Sequence, residues 1–126
     1  MKFITGSFFD KDLLEEAKEK GWRVFSIAVS QPKGGTLYRE LTLLTPLWKL
    51  VSKYRAGRIT PEEYTESFHR QTLKKTTLGN LMAMLESNRY PRTPVLLLCW
   101  EKEGEFCHRQ IVAKWLKKRG QKVEVY

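Results

Sequence analysis

Three observations predict that this sequence folds as a three-layer α/β domain with about four mostly parallel strands, right-handed crossovers and a helical insertion between strands two and three. Residues 2–21 run strand, turn, helix and glycine, the opening of a βαβ unit. Residues 94–116 repeat that plan, with a short apolar run, a charged turn and then apolar positions three and four apart. Between them, from about 36 to 92, strand patterns stop and helical periods take over. A chain of 126 residues has room for one hydrophobic core, so residues 1–126 read as a single domain.

In chain order, Lys2 to Ser7 is the first strand, running into a Gly turn. Asp10 to Lys20 follows as a helix with Leu13, Leu14 and Ala17 on one face, acidic residues crowding its start and Gly21 as its stop. Trp22 to Val29 is a β-branched and aromatic second strand, closed by Ser30 to Gly35. The insertion opens with Pro46 to Ala56, whose stripe is Leu47, Leu50, Val51 and Tyr54. Thr60-Pro61-Glu62-Glu63 is a capping box with proline at the first helical position, and the helix it starts carries Tyr64, Phe68 and Leu73. Thr77 to Asn88 places Leu78, Leu81, Met82 and Leu85 at core spacing. The apolar run from Pro94 ends at Cys99, the next helix begins near Cys107 and runs through Leu116, and Gln121 to Tyr126 alternates as a last strand.

Composition narrows the function classes. No apolar run reaches the roughly 18 residues of a membrane span, and the N-terminus lacks the apolar segment of a signal peptide, so a cytoplasmic protein without membrane contact is expected. Two cysteines make no disulfide framework, which fits a reducing compartment. The formal charge of +9 concentrates anions, so the expected partner is a nucleotide or nucleic acid; a solvated basic surface is the plain alternative. Basic groups recur at Lys49, Lys53, Arg55 and Arg58, at Arg70, Lys74 and Lys75, and from Lys114 to Lys122, without a helix-turn-helix, zinc-finger or RNA-recognition signature. Single glycines after the first strand and Gly34-Gly35 after the second match no phosphate-loop or dinucleotide fingerprint, and no cofactor is expected.

Chemistry concentrates at Cys99, Glu101, Cys107, His108 and Arg109. Ligands in open α/β folds bind at the carboxyl ends of strands, and Cys107 and His108 fall at a helix start, where free N–H groups and the dipole stabilise anions. A thiolate there is a nucleophile, so Cys99, Glu101, Cys107 and His108 are the catalytic candidates, with the cysteines as nucleophiles and Glu101 or His108 moving protons. Arg109, with Gly6, Ser7 and Gln31 at the ends of strands one and two, forms the anion-binding set. Plain readings stand beside these. Cys107 keeps register with Ile111 and Trp115, as a packed thiol would; Cys99 suits the core; Glu101 sits in an acidic loop with Glu103 and Glu105. Metal binding by Cys99, Cys107 and His108 is disfavoured, because no C-x-x-C pair is present and adjacent helical side chains splay by about 100°.

Leu97-Leu98-Cys99-Trp100-Glu101, followed after a turn by Cys107-His108-Arg109 and an apolar helix, resembles the C-terminal signature of domain-of-unknown-function family 488. Gln31-Pro32-Lys33 and the Gly57-x-Ile59-x-x-Glu62-x-Tyr64 segment are similar to compact bacterial and phage relatives. The resemblance implies a Rossmann-like domain with Cys99, Glu101, Cys107, His108 and Arg109 clustered at the sheet edge, and a role in nucleotide or nucleic-acid processing. Longer members carry His-Ser after the first strand; Gly6-Ser7 stands there in this chain, so no role of that histidine carries over.

Overall fold

The computed structural model describes residues 1–30, 38–101 and 106–126. Five parallel strands form one sheet: β1 (Lys2–Ser7), β2 (Arg23–Ser26), β3 (Arg39–Glu40), β4 (Val95–Cys99) and β5 (Lys122–Val125), in the order β3-β2-β4-β1-β5. The helices are α1 (Lys11–Lys20), α2 (Trp48–Arg55), α3 (Pro61–Gln71), α4 (Leu78–Met84) and α5 (His108–Lys118). The α/β architecture is as predicted, with one more strand than expected. Arg39–Glu40 lies inside the stretch read as helical and pairs with Phe25 and Ser26 at the sheet edge. Two residues are too few to show an alternation in sequence. The second strand also stops at Ser26 rather than Val29, because the Ala28 N–H turns back to the Ser26 Oγ (3.2 Å) instead of continuing the ladder.

The central strand explains the apolar run that begins after Pro94. Every residue of β4 is buried, since β1 and β2 flank it and helices cover both faces. Each such side chain contributes about 1.5–3 kcal/mol by leaving water. Register partners in a parallel sheet share a face, so Ser7, Cys99 and the Ile27 that follows β2 point one way, and Gly6 and Leu98 the other. Helix α1 covers the Gly6 face, where a Cβ on Gly6 would overlap Leu13 Cδ2. Helices α5 and α3 cover the Cys99 face, with the Phe68 ring edge-on to His108 at 5.7 Å. The chain leaves β1 for β2 in one direction and β4 for β5 in the other, so the topological switch falls between the carboxyl ends of β1 and β4.

Local signals start and stop the helices. Asp10 caps α1 by accepting the Leu13 N–H (3.1 Å), and Gly21 closes it at φ 67°. Thr60 and Glu63 exchange both capping-box bonds at 3.1 Å ahead of Pro61. No helix among the described residues is long and apolar enough to cross a membrane.

The close approach of α1 to β1 gives a stability prediction. Gly6→Ala should cost about 1–3 kcal/mol by overpacking, and Leu13→Ala about 2–5 kcal/mol by leaving a cavity. The double variant should cost less than the sum, because removing the Leu13 methyls makes room for the new one. Additive losses in urea denaturation would contradict this contact.

Candidate functional site

Strand β4 delivers Cys99 to the switch point, and eight residues later Cys107 stands at the N-cap of α5. Cys107 has extended backbone (φ −153°, ψ 152°), and its sulfur accepts the Arg109 N–H at 3.5 Å. Gln110 Oε1 in return accepts the Cys107 N–H at 3.2 Å, so the arrangement is a capping box with sulfur in place of a hydroxyl. Although it stands outside the helix proper, Cys107 is 3% exposed and packs in the same core cluster as Ile111 and Trp115, as the packed-thiol reading expected.

His108 is buried in the first turn. Its Nε2 lies 2.5 Å from the Ile27 carbonyl, and its Nδ1 lies 3.6 Å from Cys107 Sγ. A carbonyl can only accept, so the ring proton sits on Nε2, and in the neutral ring the Nδ1 lone pair faces the sulfur. Burial pushes the imidazole down to about 4, with the cations Arg109 and Arg55 acting the same way and the Ile27 bond opposing them. The ring is therefore neutral at pH 7.

Arg109 is 1% exposed. Its Nη1 donates to the Glu101 carbonyl and to Cys99 Sγ, the latter at 3.6 Å. It ties Cys99 and Glu101, at the end of β4, to the first turn of α5, and its guanidinium is turned inward, away from the open crevice expected of an anion clamp. Glu101 Oε2 accepts from the Cys99 thiol at 3.1 Å. Four of the five motif residues are thus joined by hydrogen bonds to one another, and His108 joins through the Cys107 sulfur.

A family model described as DUF488-N3a, the active DUF488-N3 subclade, matches residues 12–120. The chain belongs to domain-of-unknown-function family 488. No curated protein and no solved structure matches it.

In this family member the two sulfur atoms are in direct contact. The fold brings them together by setting the strand end against the helix cap. A ligand atom from each of Cys99, Cys107 and His108 lies within 4.8 Å of the others. The splay of adjacent helical side chains does not separate Cys107 from His108, because Cys107 is extended. With the sulfurs reduced, these are ligand types that zinc accepts, though the Arg109 cation beside Cys99 opposes a metal ion there.

A cavity of about 30 Å³, close to the share of one water molecule, is lined by Cys107, His108, Glu101, Tyr64, Trp100 and Arg55 among others. Cys99 does not line it and lies deeper. Arg55, Tyr64 and Trp100 are the residues that motif reading missed. Burial, and then the Glu101 charge, holds the Tyr64 phenol well above its usual range. The Trp100 indole donates to the Ser30 carbonyl (2.9 Å) and packs on Phe8 and Phe9, forming one wall.

The remaining anion-binding candidates separate. Ser7 sits at the switch point, donating to the Trp100 carbonyl (3.3 Å) and accepting the Phe9 N–H (3.1 Å). Gly6 faces α1 on the opposite side of the sheet, where it serves packing. Gln31 lies outside the described residues.

The neutral His108 has a measurable consequence. Between pH 6.5 and about 4 the unfolded chain takes up a proton that the folded ring refuses, so stability should fall as pH drops through that window and the effect should level off below it. The shift corresponds to about 3 kcal/mol. Acidification from pH 7 to 4.5 should therefore cost His108→Gln about 2–3 kcal/mol less than the parent in urea denaturation, and equal losses would contradict a buried neutral ring.

Proposed function

We propose that this chain is a nucleotide- or nucleic-acid-processing enzyme that works through the reduced Cys107 thiolate. The observation that carries the reading is the surroundings of the Cys107 sulfur. It caps an 11-residue helix, accepts a backbone N–H, and faces an unprotonated imidazole nitrogen at 3.6 Å. A helix start and a donated hydrogen bond both favour a thiolate over a thiol.

In this scheme His108 Nδ1 takes the thiol proton and the sulfur bonds to an electrophilic atom of the substrate. The bond to the leaving group breaks, and the proton that His108 took passes to that group in the same hollow, where Glu101 orients it. Arg55 at the hollow holds substrate phosphate, and Arg109 positions Cys99 and the loop from behind. The net charge of +9 and the description of the matched subclade as active support this reading. The narrowness of the hollow favours the alternative, a non-catalytic module that binds nucleic acid through its basic faces.

Alkylation by iodoacetamide after reduction, read by mass spectrometry, separates the two. A thiol of ordinary pKa, about 8.5, loses more than about fiftyfold in reactivity between pH 8 and pH 6. Cys107 should lose less than about tenfold and should react before Cys99. A Cys107 that is inert, or that follows the ordinary profile, would defeat the enzyme and leave the binding module.

A further inference from the structure

Two basic stretches that are far apart in sequence face each other in the fold. The groove between α3 and α5 has a volume of about 830 Å³. Arg70 and Lys74 stand on one wall, Lys114, Lys118 and Arg119 on the other, and Glu66 is the sole carboxylate among the lining residues. Glu66 lies 3.9 Å from Arg70, an exposed pair that leaves most of this charge uncompensated. Lys114 and Lys118 follow one another about 6 Å apart along α5, and Lys74 follows Arg70 in the 3-10 turn after α3. His69, also on the groove, is held below its usual range first by burial and then by Lys118 and Arg119. Phe106 lines this groove and the Cys107 cavity as well, so the two hollows adjoin.

We infer that the α3–α5 groove binds single-stranded nucleic acid and leads the strand to the Cys107 hollow. The inference rests on the proposed function and narrows its substrate from nucleotides in general to a polynucleotide strand. Opposed rails of cations suit a phosphodiester backbone lying between them, and the exposed ring of His69 and the half-buried face of Phe106 offer surfaces for bases. A concave channel between two helices admits an extended strand, whereas a duplex presents a convex surface that calls for a protruding element.

The test is binding of a fluorescent mixed-sequence DNA oligonucleotide to the full chain across a salt series. Lys114→Glu with Lys118→Glu should weaken binding by at least about tenfold and flatten the log–log salt slope by about 1.4, because each single-strand phosphate contact contributes about 0.7. Arg70→Glu with Lys74→Glu, on the other wall, should do the same. Lys11→Glu with Lys18→Glu, an equal charge change on α1 across the sheet, should cost less than about threefold. Equal losses at groove and α1 would overturn the inference in favour of a diffuse basic surface. Equally tight binding of a duplex, of polyglutamate or of a mononucleotide would overturn it as well. Cys107 alkylation measured on the same proteins keeps the two readings apart: an inert thiol with groove-dependent strand binding defeats the enzyme alone, and a reactive thiol without strand binding defeats the groove alone.

Discussion

A guanidinium removed from water is tolerable only where acceptors surround it, and Arg109 imposes that condition on the whole β4–α5 connection. The side chain leaves the first turn of α5 and reaches back to the Glu101 carbonyl and the Cys99 sulfur, so the end of the strand and the start of the helix are fixed relative to one another. Cys107 then has no choice but to cap the helix beside Cys99, and His108 is delivered to the Ile27 carbonyl at the end of β2. The motif is therefore a joint between secondary-structure elements before it is anything else. Its chemistry follows from the same contacts, because groups that satisfy a buried cation are those whose anionic forms the cation stabilises.

The two cysteines take different environments from this joint. Cys99 is fully buried between a carboxylate acceptor and a guanidinium donor, while Cys107 borders the cavity and sits under the helix start. One is placed to tune and the other to meet a ligand. The imidazole between the α5 cap and β2 is kept neutral by burial, which suits a proton acceptor at neutral pH better than a second cation would.

Much of the fold was legible in the sequence because its signals are local. The capping box at Thr60, the proline at the first turn of α3, the glycine stop of α1 and the continuous apolar run of β4 each needed only a few neighbouring residues. The cluster of Cys99, Glu101, Cys107, His108 and Arg109 was legible for the same reason, since one short loop connects them. What escaped depends on distant pairing. The edge strand Arg39–Glu40 exists only because Phe25 and Ser26 lie beside it. Arg55 and Tyr64 reach the cavity through the packing of α2 and α3, while their spacing within those helices reads as an ordinary stripe. Gly6 reads in sequence as part of an anion-binding set, whereas in the fold it makes room for Leu13. Arg109 looked like a surface clamp because arginines usually are exposed, and only the positions of the Glu101 carbonyl and the Cys99 sulfur show why this one is not.

The order of the sheet also shapes how the molecule is made. β1 and β2 are translated before the other strands of the sheet, yet they are not neighbours: both pair with β4, which is translated some seventy to ninety residues later. Until that strand arrives, the nascent chain holds two edges with nothing between them, and the sheet cannot close around its centre. Pairings so distant in sequence slow folding and lengthen the exposure of unpaired strands. The stretch from β4 to β5 thus completes the core and the cysteine site in one event, so chains cut before it should possess neither.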